Sequence, residues 1–199
     1  MTSKNLDRSL IDYLKQIPDE RKASGRRHPL WLILLIIILG IMSGCWGYRG
    51  LGRFVERHRR QLIETFKIPQ ARVPSYSTIR RVMMTLDYEA LTQVFNNWAS
   101  QYTNNDRGQW IAIDGKSLKN TVHDCHGKQQ NFVMMVSAFT HERGEIVGIK
   151  VMENKQQSEI VAVQNLLELL DLKGVVFTMD ALHCQKKPLM RSSMMVTTT

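Results

Sequence analysis

Disulfides are the first thing this sequence does without. Its three cysteines, Cys45, Cys125 and Cys184, are an odd number with no framework spacing. That excludes a disulfide-stapled secreted domain and fits a reducing compartment. The same scarcity counts against zinc. His123, Cys125 and His126 cluster, but no paired Cys or His stands at the usual distance, and His183 and Cys184 would join them only by a coincidence of the fold. A nucleophilic Cys–His pair is equally unsupported. No secretory signal is visible: Met1 to Gly25 is polar, without an early apolar core or a cleavage site. No apolar run reaches the ~20 residues of a typical membrane span. The longest, Leu30 to Met42, comes to the lower margin of a span only when stretched to Trp46. It reads first as a buried core helix starting after Pro29, with a small membrane-associated protein as the competing class. The last absence is acidic: residues 181–199 contain neither Asp nor Glu.

What is present is ordinary in amount and uneven in placement. The 199 residues are 43% hydrophobic and 23% charged, enough to bury one good core or two small ones. Net charge is +9 and the pI about 9.7. Residues 1–108 hold 17 Lys and Arg against 9 Asp and Glu, so nearly all the excess lies in the first half. A basic half suggests a polyanionic partner, with nucleic acid the first candidate; a solvated basic surface is the bland alternative.

The first half reads as helices. Leu6, Leu10, Ile11, Leu14 and Ile17 form one helical face that Pro18 ends. A basic linker follows, from Arg21 to His28, and then the apolar helix. From Gly50 to Phe66 the spacing predicts one amphipathic helix, with Leu51, Phe54, Val55, Leu62, Ile63 and Phe66 inward and Arg53, Arg57, Arg59 and Arg60 outward. Those arginines are candidate phosphate contacts. After a loop marked by Pro69 and Pro74, Ser75 or Ser77 caps a helix with Ile79, Val82, Met83 and Leu86 on its apolar face. Asp87 caps another, bearing Leu91, Val94, Phe95, Trp98 and Tyr102. Such a pair can form a helix-turn-helix, in which Arg80 and Arg81 would meet DNA.

The polar stretch from Thr103 to Gly108 is the expected boundary. Beyond it, strands and a helix alternate. Residues 110–114 form a strand, 117–130 a polar loop, and 131–139 and 145–152 two further strands. A helix starts at Ser158 and stops before Gly174, and a last strand covers 175–179. The first and last strands are apolar runs that each stop on an aspartate, Asp114 and Asp180. If those strands are neighbours, the two carboxylates converge. Paired carboxylates on a basic chain suggest a divalent-metal site for phosphoryl transfer on nucleic acid. An aspartate after a strand is also a common turn former. Lys116 and Lys119, just past Asp114, are placed to meet phosphates or to stand in solvent.

A series of short motifs extends this reading. Ile-Asp-Gly-Lys-Ser (113–117), Asn131-Phe132-Val133 through Ser137-Ala138-Phe139, Ser158-Glu159-Ile160, Leu170-Asp171-Leu172-Lys173-Gly174 and Met179-Asp180-Ala181-Leu182-His183-Cys184-Gln185 follow in fixed order. Together they resemble the DDE transposases of the H-repeat-associated type, encoded by bacterial insertion sequences. The resemblance covers roughly residues 7 to 187 and is most specific in its second half.

The resemblance implies an α+β fold. An all-helical transposase-associated domain over 1–103 would be followed by an incomplete ribonuclease-H-like α/β domain over 109–187, with its first and fourth strands adjacent. It implies catalytic and metal-binding roles for Asp114 and Asp180, Mg²⁺ or Mn²⁺ as cofactor, and double-stranded DNA at the element ends as partner. Arg53, Arg57, Arg60, Arg80, Arg81 and Lys116 are the candidate DNA contacts. No small-molecule substrate and no membrane are expected, a homo-oligomer is left open, and the bacterial cytoplasm, at the nucleoid, is the expected location. The third acid of the family lies well after the second, and here none follows Asp180. Residues 188–199 abandon the family pattern, as an aberrant tail of a truncated or frameshifted copy would. The chain is therefore expected to be catalytically incomplete. A DNA-binding remnant that occupies or regulates element ends is the alternative. Glu153 and Glu159 are the acids left to supply a third ligand. Lacking later helices, the sheet face with Val133, Val136, Val147 and Val176 is expected to be poorly covered.

Overall fold

The computed structural model describes residues 8–102, 108–123, 131–153, 159–170, 172, 174–179 and 195–198. The chain divides into two compact units, Met1–Val94 and Phe95–Thr199.

The first unit is helical among the described residues. Helix α1 (Leu10–Leu14) opens with a capping box: the Ser9 side chain accepts from the Asp12 backbone while the Asp12 carboxylate accepts from Ser9. Its Leu14 and the following Ile17 are buried. In the linker, Arg21 binds the Asp19 carboxylate through Nε at 2.8 Å and Nη2 at 2.7 Å, and reaches the carbonyls of Gly25 and His28. Helix α2 (Leu30–Met42) follows Pro29 directly. Residues Leu32 to Ile37 are buried in unbroken succession, so α2 is enclosed on every side and forms the centre of this unit. The segment Ala23–Met42, 20 residues, passes for a membrane span by length and composition, and half of it is buried inside the protein.

The single helix expected over 50–66 is two: α3 (Gly47–Arg57) and α4 (Arg59–Phe66). They break at His58, whose φ of −102° and ψ of 16° leave the helical region. Leu51, Phe54, Val55 and Leu62 nevertheless point inward as expected. Helix α5 (Tyr76–Thr85) is capped by Ser75, and α6 (Tyr88–Ala99) by Asp87, whose Oδ1 accepts from the amides of Glu89 and Ala90. Ile79 and Val82 are buried, while Met83, expected beside them, is 39% exposed. Helices α3 and α5 cross at Gly52: a Cβ there would lie 2.8 Å from the Cβ of Tyr76.

The second unit is built on a five-stranded sheet. Its strands are β1 (Trp110–His123), β2 (Asn131–Thr140), β3 (Ile146–Glu153), β4 (Val176–Met179) and β5 (Met195–Thr198), in the order β3-β2-β1-β4-β5. Strand β2 runs antiparallel to both neighbours, and β4 runs parallel to β1 and to β5. Because β4 returns beside β1 rather than β3, the chain must cross over, and helix α7 (Glu159–Leu170) lies in that crossover. Mixed helix and sheet is the fold class expected from the sequence.

Helix α7 packs on β2 and β3. Its Val163, Leu166 and Leu167 are buried with Ile111, Ile113, Val136, Val147 and Phe177, each worth about 1.5–3 kcal/mol of burial. The expectation of a poorly covered face is thus corrected for Val136 and Val147, which α7 covers completely; Val133 and Val176 remain half-buried. Strand β1 also continues nine residues past its expected end. Its polar continuation pairs with β2 through Ser117–Met134 and Leu118–Val133, and the Thr121 hydroxyl accepts from the Val133 amide at 2.8 Å. Backbone pairing makes this a strand where side-chain pattern suggests a loop. On β3, the Asn96 side chain behaves as a miniature neighbouring strand. Its Nδ2 donates to the Ile149 carbonyl and its Oδ1 accepts from the Ile149 amide, both at 2.8 Å. That satisfies part of an otherwise open edge.

Candidate active site

Strand β1 sorts its side chains by alternation. Ile111 and Ile113 enter the core under α7, and Asp114 and Lys116 are exposed on the opposite face. Asp114 stands opposite Ser137 of β2, whose hydroxyl donates to the Asp114 carbonyl at 3.4 Å. The Asp114 side chain has no ion pair among the described residues.

On the other side of β1, β4 pairs in the register Trp110–Val176, Ile111–Phe177, Ala112–Thr178 and Ile113–Met179. Asp114 is the next residue of β1. Asp180 follows Met179 in sequence and lies outside the described residues, as do the Lys119 and Glu159 side chains, Cys125, His126, His183 and Cys184. A side-chain bridge ties three strands near this register. His141, just after β2, bonds through Nε2 to the Thr178 hydroxyl on β4 at 2.9 Å, and its ring meets Trp110 of β1 edge-on. No sequence pattern singled out that bridge.

Glu153 does not join Asp114. Ile149 stands opposite Ser137, which stands opposite Asp114, so Glu153 lies four residues further along and two strands away. At ~3.3 Å per residue and ~4.8 Å per strand, that separation exceeds ~15 Å. Among the described residues, no three His, Cys, Asp or Glu side chains gather as a metal cluster.

The candidate DNA-contacting arginines fall into distinct settings within the first unit. Arg60 is spoken for in part by Glu64, at 2.8 Å. Arg81 is exposed and donates to the Ser77 carbonyl, and Arg80 beside it is also exposed. Arg53 and Arg57 line a cavity of about 380 Å³ together with Trp46 and Phe54. The sequence reading missed Trp46. Its available signal was an aromatic residue between two glycines, Gly44 and Gly47, both of which have positive φ.

A family model described as "DDE_Tnp_1-associated" matches residues 11–99. The chain is 30% identical over 179 residues to "H repeat-associated putative transposase YbfD" of Escherichia coli K12, a match covering 90% of this chain and 69% of that protein. It is 33% identical over 178 residues to "Putative transposase YncI" of Escherichia coli O157:H7, covering 89% of this chain and 45% of that one. The chain therefore spans about half the length of some relatives and about two thirds of others. Among solved structures, a piggyBac transposase synaptic complex with hairpin DNA aligns at a TM-score of 0.47 and 9% identity, over 94% of this chain and 45% of that chain. A likeness at that level does not decide the fold.

Proposed function

This chain belongs to the family of H repeat-associated transposases, and on that premise we propose that it serves insertion-sequence transposition, with Asp114 and Asp180 as paired acids of a ribonuclease-H-like DDE domain. The observation that carries the reading is the parallel β1–β4 register. Its last described pair, Ile113–Met179, is one residue short of both aspartates. The placing of β4 beside β1 is the adjacency of first and fourth strands that the resemblance implies, and it supports the same reading. We assign residues 109–187 to this partial catalytic domain, 1–103 to a helical DNA-binding domain, and 188–199 to a tail that departs from the family pattern yet adds β5 to the sheet.

Asp114 suits a metal ligand: it is exposed, on a rigid strand, and free of an ion pair among the described residues. With Asp180 it would hold Mg²⁺ or Mn²⁺, hard cations that prefer carboxylate oxygen. Such ions, when bound, supply activation of a water or a DNA 3′-hydroxyl and stabilisation of the leaving oxygen. Lys116, on the same face of β1, is placed to hold the phosphate of the strand being cut. Arg53, Arg57, Arg60, Arg80 and Arg81 of the basic first unit neutralise duplex phosphates outside the cut site. The described acids supply no third ligand near Asp114, and residues 181–199 contain none. On this reading the chain binds element ends in the bacterial cytoplasm, and strand transfer needs a third acid that Asp114 and Asp180 do not supply.

The test is binding of the full chain to an element-end duplex at rising salt. Affinity should fall linearly on a log–log scale, and Arg80→Ala with Arg81→Ala should lower the slope by about 1–2. Affinity independent of salt contradicts the reading. With Mg²⁺ added, no nicked or joined DNA is expected. Product that disappears in Asp180→Ala would show that this chain, or a second copy, supplies the third ligand after all.

A further inference from the structure

We propose that the corner between α2 and α3 is a pocket for one unpaired nucleotide, with its base stacked on Trp46 and its phosphate held by Arg53 and Arg57. The proposal rests on the reading of this chain as a DNA-binding protein and adds a strand-end specificity to it. Trp46 is 74% exposed, although large aromatic side chains are mostly buried. Its backbone is pinned on both sides. Gly44 and Gly47 have φ of 75° and 70°, conformations that cost any other residue strain, and Trp46 itself is the extended N-cap of α3. The residue is thus presented from a turn of defined shape, and it lines the cavity of about 380 Å³. That volume is at the small end of the range for ligand sites.

The cavity is also lined by two cations, Arg53 and Arg57. Arg53 and Arg57 are four residues apart on α3 and so project from one side of the helix. Neither has a carboxylate ion pair among the described residues, in contrast to Arg21 with Asp19 and Arg60 with Glu64. Buried Phe54 lines the cavity with them. Guanidinium forks match phosphate oxygens in pairs. An exposed indole offers a flat apolar face that every base can use, independent of its sequence. An acidic peptide would use the two arginines and leave the indole face without a partner. A paired base inside a duplex has no free face to give. An unpaired nucleotide uses both.

The experiment compares the full chain on two duplexes of one sequence, one blunt and one with a short 3′ overhang carrying 2-aminopurine. The overhang duplex should bind about tenfold more tightly, with the 2-aminopurine fluorescence quenched. Trp46→Ala should abolish both the gain and the quench while leaving blunt-duplex affinity unchanged, and Trp46→Phe should restore most of each. Equal affinity for the two duplexes, or a gain that survives Trp46→Ala, overturns the pocket and leaves DNA binding intact. A chain that binds neither duplex contradicts the DNA-binding reading. In that event free 2-aminopurine deoxyriboside 5′-monophosphate decides the pocket: a quench lost in Trp46→Ala supports it, and no quench overturns it.

Discussion

Ile113 of β1 and Met179 of β4 are partners in a parallel ladder, and both side chains are buried in the core beneath α7. Each is followed in sequence by an aspartate. Apolar burial fixes this register, because a slip of β4 by one residue would turn Phe177 and Met179 to the wrong face. The core that stabilises the sheet therefore also sets which face of β1 presents Asp114.

Asn96 should be the most sensitive polar residue of the second unit. Its amide satisfies both backbone groups of Ile149 at the edge of β3, and it is only 8% exposed. Asn96→Ala is expected to cost about 1–3 kcal/mol in chemical denaturation. The Ile149 amide should exchange with solvent faster in the variant, which a general loss of packing would not single out.

Gly52→Ala should loosen the first unit. The added methyl would stand 2.8 Å from the Tyr76 Cβ, an atom fixed close to its backbone rather than the end of a flexible chain. A loss of about 1–3 kcal/mol is expected. Gly52→Ala combined with Tyr76→Gly should recover part of it, and a thermal melt that is unchanged by Gly52→Ala would contradict the close crossing.

Much of this architecture is legible in the sequence because it rests on local rules. Ser75 and Asp87 are side-chain caps of ordinary kind, and the strands 110–114 and 175–179 are short β-branched runs. The missed features depend on partners distant in sequence. Residues 117–123 look like a loop because they are polar, and they extend because β2 offers backbone partners. Nothing distinguishes Asn96 from Asn97 until Ile149 lies beside it. The break at His58 falls inside a continuous amphipathic pattern. Asp114 reads as a strand end in the sequence but lies inside β1, which runs on to His123 because β2 pairs with it. Trp46 was not legible beside the arginines that share its cavity because they lie about two and three turns further along the chain.

His28 gives the first unit a pH limit. It is buried, and burial first, then the nearby Arg27 and Arg21 charges, hold its pKa below the ordinary 6.5. The unfolded chain therefore binds this proton more readily than the folded one. Stability is fully present above the ordinary value and falls as pH drops through 6.5 toward the lower folded value. Denaturation midpoints measured from pH 8 to 5 should decline in the parent chain, with a shallower decline in His28→Gln. A decline of equal slope in both would assign it to other groups.

The central claim is that Asp114 and Asp180 face one ion. Its most direct measurement is Mn²⁺ binding to the full chain, followed by calorimetry and by paramagnetic broadening of NMR signals from β1 and β4. Weak binding is expected, since two carboxylates leave most of the coordination shell to water. Broadening should centre on residues next to Asp114 and Met179, and either Asp114→Asn or Asp180→Asn should remove most of it. Undiminished binding in both variants, or broadening centred elsewhere, would leave the two aspartates without a metal-binding role and contradict the account.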